Sequence, residues 1–262
     1  MDLGLTGRTA LVGGASSGLG RASAEALAAE GCRLAIWSRD ATALGAVAAE
    51  LRDRHGIEVA VLQGDATEPG TGARLATEAL AALGGVDIVV LNAGGPPAVD
   101  PLASDAAGWG RAFQLLAITP IELATALMLG MRERRWGRVV AILSSGVRQP
   151  IPDLVYSNSG RVALAAWLKT AAGIVARDGV TVNGVIPGRL QTPRIDSLDG
   201  TRAEKTGQSI ETVRAAHLTT IPIGRYGRAE ELGSYVAYVC SERASYQTGT
   251  FTAIDGGLIT GL

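Results

Sequence analysis

The sequence predicts a doubly wound α/β fold, with one seven-stranded parallel sheet and helices on both faces. Three observations predict it. Short aliphatic runs alternate along the whole chain with longer Ala-rich stretches of helical period. No repeat, low-complexity linker or shift of composition divides the 262 residues. A hydrophobic content of 47% in a chain of this length is enough to fill one large core. The expected unit is a single domain spanning 1–262.

In chain order, 9–12 (TALV) is the first apolar run and reads as a buried strand, followed by a helix-periodic stretch at 18–30. The pattern repeats with strand 34–37 and helix 41–55, then strand 59–62 and helix 70–83. Strand 86–91 leads into one long helical stretch at 103–135, and strand 139–143 into another at 155–177. Strand 180–186, a helix at 228–242 and strand 251–254 complete the set. The stretches 112–131 and 162–176 are apolar over more of their circumference than one sheet face requires. Such helices have a second apolar face to cover, so a homo-oligomer, a dimer or tetramer, is expected.

Composition excludes several function classes. With Lys+Arg 24 against Asp+Glu 25 there is no field to hold a phosphate polymer, so nucleic acid is not an expected partner. Cys32 and Cys240 are solitary and His55 and His217 lie far apart, so no spacing resembles a metal site, a redox pair or a Ser/His hydrolase. No leader pattern opens the chain, and Pro120, Glu122 and Lys169 interrupt the longest apolar windows. A cytoplasmic protein with no membrane contact is expected.

Gly14, Gly18 and Gly20 make a G-x-x-x-G-x-G pattern between the first strand and the first helix. In a strand–turn–helix setting these glycines permit a tight turn, close approach of main-chain N–H groups to a diphosphate, and close helix–strand packing. The helix N-terminus adds unpaired donors and a positive dipole end. Gly14, Ser16, Ser17, Gly18, Leu19 and Gly20 are therefore expected to cradle a dinucleotide. The second strand ends in Trp37-Ser38-Arg39-Asp40, where such folds read the adenosine ribose. Ser38 stands where a carboxylate would bind the free 2′-hydroxyl of NAD, and Arg39 follows it with a fork suited to a 2′-phosphate. NADP is expected over NAD, with Asp40 placed to neutralise Arg39 in part.

Further motifs make the chain resemble the short-chain dehydrogenase/reductase family over nearly its whole length, in particular its 3-oxoacyl-carrier-protein reductases. They are Gly64-Asp65-Ala66, Asn92-Ala93-Gly94, Val182-Asn183 with Pro187-Gly188 and Thr192, and Thr248-Gly249 with Asp255-Gly256-Gly257. The resemblance implies a Rossmann-type sheet, a dinucleotide touched by Asp65, Ala66, Asn92, Ala93, Gly94, Pro187, Gly188 and Thr192, and usually a tetramer. It also implies a catalytic Asn, Ser, Tyr and Lys, the last two spaced Y-x-x-x-K.

Counting forward from Gly137 puts the serine at Ser144. Counting back from Asn183 puts the Tyr and Lys positions at Ser157 and Arg161, and the Asn position falls on Leu116. Tyr156 is one residue out of register, about 100° away around a helix, whereas residues i and i+4 share a face. The candidate catalytic residues are Ser144, Ser157, Arg161 and Tyr156, with Arg161 also expected on the nicotinamide ribose. Of the 24 basic residues only Lys169 and Lys205 are lysine, so Arg at a Lys position is this chain's habit. Serine is a far weaker acid than a phenol of pKa about 10.

Three readings follow. The first is an NADPH-dependent reductase of a ketone or 3-oxoacyl carbonyl, using either a swung Tyr156 or a relay through Ser144 and Ser157 with Arg161 stabilising the oxyanion. The second is a lyase or isomerase on the same fold, and the third a nucleotide sensor without catalysis. A Ser/Thr/Gly-rich stretch at 194–220 reads as a moving substrate lid. Arg189 and Arg194 beside it suit an anionic or phosphopantetheine-bearing substrate, and Gly95-Pro96-Pro97 stiffens the loop bordering the same cleft.

Overall fold

A computed structural model describes residues 1–261. Its seven strands are β1 Thr9–Gly13, β2 Arg33–Ser38, β3 Val59–Gln63, β4 Ile88–Leu91, β5 Gly137–Ile142, β6 Val180–Pro187 and β7 Phe251–Ile254. They form one sheet in the order β3-β2-β1-β4-β5-β6-β7, and every pairing is parallel. The central strands are buried on both faces, which is why they read as continuous aliphatic runs. Ala10, Val12, Ile88, Val90, Val140 and Val185 point to one face, under helices α1 (Gly18–Ala29), α2 (Ala41–His55) and α9 (Ala229–Cys240). Leu11, Val89, Val139 and Val182 point to the other, under α3 (Thr71–Leu83), α5 (Thr119–Glu133) and α6 (Val155–Val175).

The strand order reverses between β1 and β4, so the loops leaving their carboxyl ends diverge and leave a crevice.

The expected helix 103–135 is a continuous helical run over Ala106–Glu133, later at its start than expected and with its α-helical hydrogen bonding broken once inside it. A 3-10 turn at Pro101–Ala103 precedes α4 (Ala106–Phe113), and a π-turn at Gln114–Ile118 joins α4 to α5. Two residues explain these departures. The Asp105 carboxylate accepts from Gly108 N at 2.6 Å and starts α4 there. Pro120 has no N–H to offer the Leu116 carbonyl four residues back, which favours a wide turn.

The run Ala106–Glu133 is long and apolar enough to cross a membrane by length and composition. Pro120 and Glu122 do not interrupt it as the sequence suggests; its inner side, Leu123, Leu127 and Met131, is packed into the core. Leu129 on α5, and Val162 and Ile174 on α6, are exposed.

The stretch expected as a lid folds as α7 (Pro193–Thr206) and α8 (Ile210–Leu218). The Thr192 hydroxyl caps α7 by accepting from Ile195 N at 3.3 Å.

Candidate active site

One cleft of about 910 Å³ runs along the carboxyl edge of the sheet. All the residues expected to touch the dinucleotide line it except Gly20.

At the β1–α1 end the site is made of backbone. Gly14 and Gly18 have φ of 59° and 55°, in the left-handed region that favours glycine. Gly20 faces inward, where a Cβ would stand 2.3 Å from the Gly14 carbonyl oxygen. Its contribution is the close approach of α1 to β1 rather than contact with a ligand. Ser17 caps α1 without a side-chain hydrogen bond, which leaves its hydroxyl and the first-turn N–H groups facing the cleft. Asn92 fixes the turn from β4, its Nδ2 donating to Gly13 O at 3.1 Å. A turn with main-chain donors and glycine at three of its positions fits a diphosphate.

At the adenosine end, Asp40 does not neutralise Arg39. Its carboxylate accepts from Ala43 N at 2.9 Å as the N-cap of α2. Arg39 is exposed on the cleft rim and forms no salt bridge among the described residues. The Ser38 hydroxyl accepts from Asp40 N at 3.2 Å. Burial alone would raise the Asp65 carboxyl. Hydrogen bonds from Thr67 N and Oγ1, at 2.9 and 2.8 Å, and the charge of Arg39 hold it below the usual range instead.

Sequence reasoning missed Trp37. Its ring lines the cleft against Gly13, and its buried Nε1 has no hydrogen-bond partner. The signal available was a Trp at the end of a buried strand beside the ribose-reading position.

At the β5–α6 end, Ser144, Ser157 and Arg161 all line the cleft. The Ser144 Oγ accepts from Gly146 N at 3.1 Å, leaving its O–H free to donate. Ser157 makes no hydrogen bond among the described residues. Arg161 Nη1 donates to Ile142 O at 2.7 Å. Burial pushes its guanidinium down to about 10, aided by the charge of Arg194, so it stays a cation at neutral pH.

Asn158 staples the loop after Ser144, its Oδ1 accepting from Ile151 N at 3.3 Å and its Nδ2 donating to Ile151 O at 2.9 Å.

Tyr156 is outside the cleft, which corrects the expectation of a swung tyrosine. Its hydroxyl accepts from Asp105 N at 2.9 Å, and its ring meets Trp109 edge-on with centroids 4.8 Å apart. A Cβ at Gly108 would lie 2.1 Å from that hydroxyl oxygen. The ring thus fills the place that the missing Gly108 side chain leaves open. Leu116, at the expected Asn position, packs away from the cleft against Gly160, and the preceding Leu115 lines the cleft instead.

The lid side holds a charged cluster that sequence reasoning did not find. Asp199, fully buried, accepts from Arg189 Nη1 at 2.9 Å, from Tyr226 OH at 3.0 Å and from Arg214 Nε at 3.4 Å. His217 joins through Nε2, 2.8 Å from Arg189 Nη2, and through Nδ1, 3.0 Å from Tyr226 OH. Arg194 takes a different course, its Nη2 donating to Pro96 O at 2.7 Å across the cleft.

A parallel sheet with a glycine cradle at its switch point, and hydroxyls plus a cation beyond it, defines a dinucleotide-binding oxidoreductase fold. Residues 14–259 match the enoyl-(acyl carrier protein) reductase family. The chain belongs to the short-chain dehydrogenase/reductase family of NAD(P)-dependent oxidoreductases.

It is 32% identical to the 3-oxoacyl-[acyl-carrier-protein] reductase of Salmonella typhimurium over 252 residues, covering 96% of this chain and 97% of the relative. It is similar to L-sorbose reductase from Gluconobacter frateurii, whose structure holds NADPH and L-sorbose: TM-score 0.95, 29% identity, all of both chains. A 3-oxoacyl (acyl-carrier-protein) reductase from Agrobacterium tumefaciens with NADP bound superposes at a TM-score of 0.88, with 28% identity over 97% of this chain and 95% of that one.

Proposed function

We propose that this protein is an NADPH-dependent reductase of a carbonyl compound that works without a catalytic tyrosine. The observation that carries the reading is that Ser144, Ser157 and Arg161 share one cleft while Tyr156 is bound to Asp105 outside it.

The N–H groups of the Gly14–Gly20 turn hold the diphosphate, with Ser16, Ser17 and Leu19 around it. Arg39 and Ser38 take the 2′-phosphate, and Asp65, Ala66, Asn92, Ala93 and Gly94 border the adenosine and the ribose beyond it. Pro187, Gly188 and Thr192 cover the nicotinamide, and Arg161 reaches its ribose. When bound, the dinucleotide supplies a hydride. The Ser144 O–H donates to the substrate oxygen and orients the carbonyl, because its own acceptor lone pair is already used by Gly146 N. Arg161, one helical turn beyond Ser157, supplies a fixed positive charge for the developing alkoxide. The proton that quenches the alkoxide passes from solvent through Ser157 and Ser144. We further propose a single domain with residues 194–220 as the lid, a homo-oligomer built on the exposed faces of α5 and α6, and a cytoplasmic location.

Following NADPH absorbance with a panel of ketones and 3-oxoacyl thioesters tests the reading. Turnover is expected in the parent and in Tyr156→Phe, and its loss in Ser144→Ala and Arg161→Ala. A swung tyrosine gives the opposite pattern. The same lack of a phenol in the cleft favours a second reading, a nucleotide sensor, which predicts tight NADPH binding and no turnover on any carbonyl.

A further inference from the structure

Besides Arg39 at the adenosine end, two guanidinium groups lining the cleft lack a carboxylate partner among the described residues. Arg161 is tied only to the Ile142 carbonyl, and Arg194 only to the Pro96 carbonyl. Neither forms a salt bridge among the described residues, although Arg189 beside them is paired with Asp199. Among the described residues the only acids lining the cleft, Asp40 and Asp65, lie at the adenosine end and are occupied by Ala43 N and by Thr67. The opposite end therefore carries two cations, and burial weakens the protonation of both. Arg161 is partly buried and Arg194 is exposed to the cleft, and two like charges facing one cleft without a counter-charge draw an anion into it. The cleft lining also includes the apolar Leu115, Leu143, Ile151, Leu154 and Leu198.

We infer that Arg194 receives a carboxylate of the substrate, so that the carbonyl compound this cleft takes is a short oxo acid. The inference rests on the reductase reading above, in which Arg161 serves the reacting oxygen. Arg194 is then left for a permanent negative charge. An oxyanion could also come from the diphosphate of the dinucleotide, but the main-chain donors at the β1–α1 turn already serve that group. Arg194 leans on Gly95, where a Cβ would lie 3.0 Å from its Nη2, in the loop that leaves β4 on the substrate side. A planar fork can grip a carboxylate with two parallel hydrogen bonds, which a lysine cannot do.

The test titrates malonate by calorimetry into the protein saturated with NADP+, for the parent, Arg194→Gln and Arg194→Lys. It then compares kcat/KM for acetoacetate and for its uncharged ethyl ester. The parent is expected to bind malonate, Arg194→Gln on the order of 10–100-fold more weakly and Arg194→Lys in between, with NADPH affinity unchanged. Acetoacetate turnover falls by the same factor in Arg194→Gln, and the ester is reduced equally by both proteins.

The inference is overturned if malonate fails to bind the parent or binds all three equally, or if Arg194→Gln weakens NADPH by that factor, which would assign the residue to the diphosphate. Malonate discrimination without reduction of either compound would end the reductase reading and keep the anion site. Equal reduction of acid and ester by all three proteins would do the reverse.

Discussion

The two ends of the cleft are built from different materials. At the β1–α1 end the groups offered to the cleft are main-chain N–H donors, and two of the glycines there, Gly13 and Gly20, face neighbouring backbone: a Cβ would stand 2.4 Å from Asn92 O at Gly13 and 2.3 Å from Gly14 O at Gly20. At the β5–α6 end the groups offered to the cleft are the side chains of Ser144, Ser157 and Arg161, to which the proposed function assigns the chemistry. Backbone chemistry depends on the absence of side chains and tolerates no substitute, because the obstacle is another stretch of main chain. Side-chain chemistry depends on what is hung at a fixed position. One hydroxyl can be exchanged for another, or one cation for another, while the helix underneath stays in place. In the proposed function, this is how the chain keeps a nucleotide cradle while Ser157 and Arg161 stand at the positions that the sequence count assigns to the family's Tyr and Lys.

The largest expected effect breaks the side-chain end alone. Ser144→Ala removes the donor aimed at the substrate oxygen and should lower kcat by about 10²–10³-fold, the usual loss for one donor to a developing oxyanion, with NADPH affinity unchanged. Steady-state kinetics beside a binding titration checks this. An equal loss in both quantities would mean that Ser144 acts by holding the loop. Breaking the backbone end has a different signature. Gly20→Ala forces α1 away from β1 and should cost about 1–3 kcal/mol in denaturant unfolding while weakening NADPH and NADH together.

A third substitution sharpens the contrast inside the nucleotide half, where Arg39 is the one side chain asked to discriminate. With Asp40 spent on capping α2, nothing offsets its charge. Arg39→Ala should weaken NADPH about 10–100-fold and leave NADH within a factor of about two, read by fluorescence titration at fixed ionic strength. Equal weakening of the two would remove Arg39 from the 2′-phosphate.

How much of this was written in the sequence follows the same division. Strand identity was legible because the central strands are buried on both faces and read as aliphatic runs, and the glycine cradle because its residues lie within one short turn of chain. The misplacement of Tyr156 was also legible, since a one-residue offset on a helix turns a side chain to another face. Its destination was not, because Gly108 and Asp105 lie about 50 residues away and only the packing of α4 on α6 brings them together. The π-turn inside the Ala106–Glu133 run had its cause in view at Pro120, masked by strong apolar periodicity on either side. The Asp199 cluster was invisible, because its members at 189, 199, 214, 217 and 226 sit on separate turns of chain that meet only when α7 and α8 fold back.

Tyr156→Phe probes a smaller effect. It removes the bond to Asp105 N but keeps the ring against Trp109, so it should cost about 0.5–1.5 kcal/mol of stability with kcat unchanged. Chemical denaturation and turnover measured on the same preparation separate these. A fall in kcat larger than about tenfold would return Tyr156 to the mechanism.

The smallest expected effect concerns the lid. Arg189 Nη2 can only donate, so His217 Nε2 must carry a lone pair, and Nδ1–H then donates to Tyr226 OH, whose own proton goes to Asp199. The imidazole is neutral in this arrangement. Burial and the charge of Arg189 push it below its ordinary range, and Arg202 adds to them, while Asp199 pulls the other way and loses. A base whose folded-state pKa is depressed favours the folded lid above the ordinary histidine value of about 6.5, and that contribution is lost as pH falls through the folded value. Below it, a proton on Nε2 would face the Arg189 guanidinium, and the Arg189–His217 bond would break. Amide exchange in residues 193–220 should therefore quicken a few-fold between pH 7.5 and 5.5, beyond the intrinsic pH dependence of exchange, while the β1–α1 turn is unaffected. In His217→Gln, whose amide oxygen still accepts from Arg189 but does not titrate, the lid should exchange at one corrected rate across that range. A lid equally quick at both pH values in the parent would show that the imidazole is not what holds it.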